Sequence, residues 1–76
     1  MSKPTRITNS IRALRFARGE MTQAELAQRI GVTRQTIIAI EQGRYSPSLE
    51  VAFQIARVLK VPLDEVFQYP DGGGEP

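Results

Sequence analysis

Four side chains near the middle of the chain could contact the edges of nucleic-acid bases. Arg34 and Gln35 are adjacent, and Ile38 and Ala39 follow one turn later, so on a helix all four would share one face. Arginine can form a bidentate contact with guanine, glutamine can form one with adenine, and an exposed isoleucine suits the methyl group of thymine. The alternatives are solvated positions for Arg34 and Gln35, a phosphate contact for Arg34, and edge packing against the preceding helix for Ile38 and Ala39.

The composition argues against most other kinds of chemistry. The 76 residues contain no histidine and no cysteine, which removes the commonest general base, the commonest metal ligand and every thiolate or disulfide site. The sequence also shows no pair of carboxylates spaced to act together on one helical face. We therefore predict that the chain is not an enzyme and that it has no catalytic residue, no metal and no cofactor.

The four candidate residues belong to the second of two short helical patterns that meet at a glycine. The first pattern begins at Thr22, which can cap a helix, and Glu25 three residues later predicts a capping box. Gly31 can end this helix and turn the chain sharply, and Thr33 can cap the next helix almost at once. The apolar residues spaced to face inward are Leu26, Ala27, Ile30, Ile37 and Ile40. Two such helices with one polar outer face are typical of a module that places its second helix in a DNA groove.

The sequence around this turn resembles the helix-turn-helix of the Cro and phage-repressor family, also called the xenobiotic-response-element type. The resemblance is centred on QAELAQRIGVTRQTIIAIEQ (23–42), in which Ala27 is the small residue at the helix crossing and Val32 is the apolar plug beside the turn. It continues in IRALRFARGEMTQ (11–23) and in EQGRYSPSLEVAFQIARVLKVPLDEVF (41–67). The resemblance therefore extends over most of the chain.

The resemblance implies an all-α fold, a compact five-helix, lambda-repressor-like DNA-binding domain. From the capping and breaking residues, with Asn9 or Ser10 as the first cap, we expect helices near residues 9–18, 22–30, 33–42, 48–60 and 62–66. The expected organisation is an N-terminal arm at 1–8, the domain at 9–69 and a disordered tail at 70–76. The alternating VFQY (66–69) could pair as a short terminal strand with Arg6-Ile7-Thr8, the alternative being two frayed ends.

The resemblance also implies roles for the polar residues around the turn. Base contacts are expected from the four outward residues of the helix near 33–42, which are Arg34, Gln35, Ile38 and Ala39. The residues expected to contact DNA phosphates are Thr22, Gln23, Thr33, Arg44 and Tyr45. Gln23 begins a helix whose free N–H groups favour an anion, whereas the ring of Tyr45 could instead pack on the fourth helix. Arg15 and Glu41 are expected to form a structural ion pair that fixes the angle of the helix near 33–42.

Charge is distributed unevenly along the chain. Residues 1–46 hold eight of the ten basic residues and three acidic ones, whereas residues 47–76 hold two basic and five acidic ones. Because the basic half of the chain also contains the helix-turn-helix pattern, we expect one face of the protein to contact DNA phosphates. The alternative is a solvated surface that shows this charge asymmetry by chance.

The predicted fourth helix is unusually apolar. Only a narrow strip of polar residues, Glu50, Gln54 and Arg57, is suited to face solvent. The helix is therefore expected to be central to the core, covered by a second subunit, or both. We therefore predict a homodimer through the C-terminal third that binds double-stranded DNA as a transcriptional regulator, in the role of a repressor. The rival interpretation is an antitoxin-like or adaptor module whose fourth helix and C-terminal segment bind another protein.

Length and hydropathy also restrict the expected partners. No apolar run reaches membrane-spanning length and the first residues lack the apolar segment of a signal peptide, so we expect a cytoplasmic protein with no membrane partner. At 76 residues one domain is expected, without a separate domain for a small-molecule effector.

Overall fold

Five short helices and a two-stranded sheet form the structure, a computed structural model that describes residues 5–44 and 46–70. The elements are β1 (Thr8–Asn9), α1 (Ile11–Ala17), α2 (Gln23–Ile30), α3 (Arg34–Glu41), α4 (Leu49–Leu59), α5 (Leu63–Val66) and β2 (Phe67–Gln68). The prediction of a compact five-helix domain is confirmed, together with a pairing of terminal strands. The helices are slightly shorter than predicted, mainly because the predicted ranges included capping residues. Within the described ranges no helix is long and apolar enough to cross a membrane.

Local signals account for the turn between α2 and α3. Thr22 Oγ1 accepts a hydrogen bond from Glu25 N at 3.0 Å, and Thr33 Oγ1 accepts one at 3.1 Å from the amide three residues later. Gly31 ends α2 in the left-handed conformation, with a φ of 80° at which a β-carbon would be strained. In place of the return bond of the predicted capping box, the Glu25 carboxylate accepts from Arg29 Nη2 at 2.9 Å, one helical turn away.

All five helices contribute to one core. Its largest fully buried side chains are Ile11, Leu26, Ile37, Ile55, Leu59 and Val66. Burying one such aliphatic side chain stabilises the fold by about 1.5–3 kcal/mol. Because the inner face of α3 is part of this core, the rotation of α3 about its own axis is fixed and its opposite face points outward.

The fourth helix is less completely covered than its sequence suggests. Ala52, Ile55 and Leu59 are buried, whereas Leu49 and Phe53 are 72% and 56% exposed. The two exposed residues are one helical turn apart and therefore lie on the same face. The fold thus leaves an apolar pair on α4 that the described part of the chain does not cover.

The terminal strands pair antiparallel, with Thr8 opposite Gln68 and Asn9 opposite Phe67. The first strand begins at Thr8, two residues later than the predicted Arg6-Ile7-Thr8. In the observed register Arg6 would lie opposite Pro70, which has no backbone N–H to donate to a ladder. Ser10 N donates to Val66 O at 2.9 Å and extends the contact as far as α1. Residues 1–4 of the predicted arm and 71–76 of the predicted disordered tail lie outside the described residues.

Candidate nucleic-acid interface

The outer face of α3 is the side of the helix-turn-helix that the core leaves free. Arg34 and Gln35, in its first turn, are exposed. Ile38 and Ala39, one turn later, are half-buried. The first pair is therefore accessible to another molecule, while the second pair is partly covered by the protein itself.

The N-terminus of α2 holds two of the predicted phosphate contacts. Thr22 is exposed, and its hydroxyl oxygen accepts the cap bond described above. Gln23 Nε2 donates to Glu41 Oε1 at 3.2 Å, which joins the first residue of α2 to the last residue of α3. A primary amide has two N–H groups, so one remains for an external acceptor. Gln23 is thus held in place beside the free amide groups of a helix N-terminus.

Glu41 joins α3 to the two preceding helices. Arg15 Nε donates to Glu41 Oε2 at 2.7 Å and Arg15 Nη2 donates to Glu41 Oε1 at 3.2 Å, with both side chains only 9% exposed. The remaining arm of the guanidinium, Nη1, donates to Met21 O at 2.7 Å. This bidentate geometry is the strong form of an arginine–carboxylate contact. Arg15 and Glu41 are therefore placed to hold the end of α3 and not to contact a ligand.

The other predicted phosphate contacts flank α3. Thr33, the N-cap residue, is exposed. Arg44 follows the helix and is also exposed, and its backbone N–H donates to Ala39 O at 3.0 Å. Tyr45 lies outside the described residues.

An open groove of about 1140 Å³ brings together predicted residues from three helices. Those in its lining are Arg15, Thr22, Gln23, Arg34 and Glu41, whereas Thr33, Gln35, Ile38, Ala39 and Arg44 lie outside it. The charged side chains of the lining are three arginines and two glutamates, so the groove has a net positive charge. Because Arg15 and Glu41 pair with each other, Arg12 and Arg34 against Glu20 leave an excess of one positive charge, which favours an anionic partner.

Arg12 also lines this groove, although no motif in the sequence marks it as a site residue. Its guanidinium carbon lies 5.8 Å from the centroid of the Phe16 ring, which is 53% exposed. The available signal was the spacing of Arg12, Arg15 and Arg18, which repeats every three residues through α1 and its C-cap. Such spacing places basic side chains near one another on a helix, and one of them is the buried partner of Glu41.

Asn9 makes contacts beyond the capping role that was expected of Asn9 or Ser10. Ser10 is the N-cap residue of α1 but its side chain makes no cap bond, and Asn9 Oδ1 accepts from Ile11 N at 3.1 Å. Asn9 Nδ2 donates to Ile40 O at 3.0 Å and to Glu41 O at 3.3 Å. No local pattern predicts the two bonds from Asn9 to α3, because they join residues more than thirty positions apart in the sequence.

Comparison with known proteins places this arrangement in context. The model of a helix-turn-helix family matches residues 11–66, which include all five helices. An uncharacterized HTH-type transcriptional regulator of Methanocaldococcus jannaschii is 53% identical over 51 residues, which are 67% of this chain and 77% of the relative. Another, from Methanothermobacter thermautotrophicus, is 54% identical over 56 residues, 72% of this chain and 81% of the relative. The cryptic phage CTXphi transcriptional repressor RstR of Vibrio cholerae is 39% identical over 59 residues, 78% of this chain and 52% of the repressor.

Solved structures share the fold. A protein from Bacteroides fragilis aligns with a TM-score of 0.71 at 24% identity, covering 82% of this chain and 98% of the other, and this likeness shows the fold alone. A hypothetical transcription factor from Neisseria aligns with a TM-score of 0.66 at 29% identity, covering 72% of this chain and 61% of the other.

Proposed function

The chain belongs to the Cro/C1-type helix-turn-helix family of transcriptional regulators, and we propose that it binds a specific double-stranded DNA sequence as a homodimer and represses transcription. The family is a non-enzymatic DNA-binding class, so the prediction that the chain is not an enzyme is confirmed. A repressing role is supported by the relative RstR, which is named a transcriptional repressor. The observation that carries the proposal is the exposed first turn of α3, beside a groove with a net positive charge.

In this proposal the exposed residues of α3 provide the sequence specificity. Arg34 and Gln35 contact base edges in the major groove, because a recognition helix of this motif approaches DNA with its N-terminal residues. Ile38 and Ala39 contact thymine methyl groups with the part of each side chain that the protein does not cover.

The flanking polar residues hold the DNA backbone. Gln23 offers its second Nε2 proton to a phosphate, and its bond to Glu41 keeps the amide oriented before DNA arrives. The other phosphate contacts in this proposal are Thr22, Thr33, Arg44, Tyr45 and, from the groove, Arg12. Such contacts fix the register of the protein on the duplex but carry no direct sequence information.

Dimerisation places two recognition helices on one face of the DNA. A single module of this size buries little surface, and two-fold symmetry matches half-sites about 34 Å apart, one turn of the duplex. The exposed Phe53 of α4 and Tyr69 after β2, with the exposed Leu49 just before them in sequence, support the predicted interface through the C-terminal third of the chain. Sedimentation equilibrium at high micromolar concentration tests this step, and a species of 8.5 kDa would contradict it.

The same exposed apolar residues support a second candidate function. Leu49 and Phe53 could receive another protein, as expected for an antitoxin-like or adaptor module. In that case DNA binding would be secondary, and double substitution of Leu49 and Phe53 with serine would abolish partner binding without altering DNA affinity.

Titration of labelled duplex DNA by fluorescence anisotropy separates the two functions. With random duplex at two salt concentrations, phosphate-driven binding must weaken steeply as salt rises. A site selected by the protein from a random duplex pool should then bind at least about a thousandfold more tightly than the random duplex. Equal affinity for both DNAs, or none for either, would overturn the proposed function and favour the protein-interaction module.

A further inference from the structure

The terminal sheet and the C-terminal end of α3 are connected through the side chain of Asn9. Its Oδ1 accepts from Ile11 N at 3.1 Å, and its Nδ2 donates to Ile40 O at 3.0 Å and Glu41 O at 3.3 Å. The carbonyl oxygens of Ile40 and Glu41 can only accept, and the amide of Ile11 can only donate. The nitrogen of the Asn9 side-chain amide must therefore face α3 and its oxygen must face Ile11.

These bonds satisfy backbone groups that a helix cannot satisfy alone. The last carbonyls of a helix have no intrahelical partner. Ile40 O also accepts from Gly43 N at 3.0 Å, whereas Glu41 O has the Asn9 amide as its hydrogen-bond donor among the described residues. Asn9 therefore caps α3 from a different element of the fold.

The backbone of Asn9 is itself held in the terminal sheet. Asn9 pairs with Phe67 in the antiparallel ladder, and the next residue donates to Val66 O at 2.9 Å. The side chain of Glu41 is bound by Arg15 and Gln23, while its carbonyl is bound by Asn9. The end of α3 thus has two kinds of attachment, one to α1 and α2 and one to the sheet in which the C-terminal segment lies.

We propose that Asn9 is a positioning residue that sets the direction of α3 relative to the terminal sheet and thereby the sequence specificity of DNA binding. The inference rests on the proposed function, in which the other end of α3 contacts base pairs. Hydrogen bonds to base edges weaken steeply with misalignment, whereas phosphate contacts carry no sequence information. A displaced α3 should therefore lose discrimination while keeping affinity for DNA in general.

Asn9→Asp isolates the donor function. The carboxylate keeps an oxygen for Ile11 N but presents oxygen in place of N–H to the carbonyls of α3. Ser10→Ala is the matched control, because this neighbouring side chain makes no cap bond. Asn9→Ala removes the bonds without adding a charge. Each variant is compared by anisotropy on the site selected by the wild type and on random duplex, at a temperature where circular dichroism shows it folded.

The ratio of specific to random affinity is the deciding quantity. We expect it to fall about tenfold in Asn9→Asp and Asn9→Ala, comparable to one lost base contact, and to stay unchanged in Ser10→Ala. The added negative charge of the aspartate should weaken binding to both DNAs, and Asn9→Ala gives the ratio without that charge. An unchanged ratio in a folded Asn9→Asp variant would overturn the proposal.

Hydrogen exchange provides a readout that needs no DNA, and its first part, on the wild type, needs no variant. In the wild type, NMR should show slow exchange of the Asn9 Nδ2 protons, and exchange at the rate of a free amide would overturn the proposal. In folded Asn9→Asp, the amides of Gly43 and Arg44 should exchange about tenfold faster, while that of Gly31 at the end of α2 should not change. A wild type with no preference for the selected site would instead overturn the proposed function, and the specificity role with it.

Discussion

The two ends of α3 are held by the molecule in opposite ways. At its start, Arg34 and Gln35 are exposed, and a local threonine cap holds the backbone. At its end, the side chain of Glu41 is bound by Arg15 and Gln23 and its carbonyl by Asn9. One end is therefore free to meet another molecule, while the other fixes the direction of the helix.

The comparison shows that residue type alone does not assign a role near a DNA-binding helix. Arg15 and Arg34 both line the same groove, yet Arg15 is 7% exposed and bidentate to a carboxylate, whereas Arg34 is exposed. Removing a buried ion-pair partner leaves an uncompensated charge and costs stability. Removing an exposed arginine has little effect on the fold, so its loss should be measurable only in binding.

Arg15→Ala should produce the largest effect, a loss of about 3–5 kcal/mol in the free energy of unfolding. The Glu41 side chain is only 9% exposed, and its carboxylate would keep Gln23 as its remaining side-chain partner. Urea denaturation followed by circular dichroism measures it. Arg29→Ala is the matched control: its pair with Glu25 is 54% and 45% exposed, so the change should be below about 1 kcal/mol. Equal effects of the two substitutions would contradict the assignment of Arg15 and Glu41 as a buried pair that holds the end of α3.

Gln35→Ala should act on binding and not on folding. We expect a loss of about 1–3 kcal/mol on the preferred site, with random-DNA affinity nearly unchanged, because the side chain is exposed and faces away from the core. Paired anisotropy titrations on the two DNAs measure the difference. A loss of the same size on both would mean that Gln35 contacts the backbone.

Thr33→Ala tests how the free end of α3 is held. Losing the bond from Thr36 N to Thr33 Oγ1 should lower the free energy of unfolding by about 1 kcal/mol, well below the effect of Arg15→Ala. Ser10→Ala, at a cap position without a side-chain bond, should change it by less than about 0.5 kcal/mol. If Thr33→Ala lowered the free energy of unfolding as much as Arg15→Ala, the side-chain contacts at the two ends of α3 would contribute equally to stability.

Arg44→Ala should have the smallest effect and the least dependence on sequence. As a phosphate contact beyond α3, it should weaken binding to every duplex about equally and reduce the salt slope by about one unit. Titrations at several salt concentrations measure the slope. A selective loss on the preferred site would instead make Arg44 part of sequence recognition.

Local signals in the sequence predicted the elements that carry this comparison. The caps at Thr22 and Thr33 and the glycine turn at Gly31 depend on neighbouring residues, so their chemistry can be recognised without a fold. The capping box was only half formed, because Arg29 lies one turn from Glu25 and offers its carboxylate a charged partner.

Tertiary contacts account for what the sequence did not reveal. Pairing of Arg15 with Glu41 was expected from the family resemblance and not from spacing, and the bonds of Asn9 to the end of α3 were not anticipated. The sequence of α4 shows an excess of apolar residues but cannot tell which of them the other helices cover. The structure leaves Leu49 and Phe53 exposed.

In the proposed function the start of α3 contacts base pairs, while its end fixes the direction of the helix. The most direct test is to let the wild type and Gln35→Ala each select binding sites from a random duplex pool at the same salt concentration. We expect the wild type to select a roughly palindromic site and the variant to select the same site with relaxed preference at one base pair in each half. An identical preference at every position would contradict the account, because the exposed first turn of α3 would then not read that base pair through Gln35.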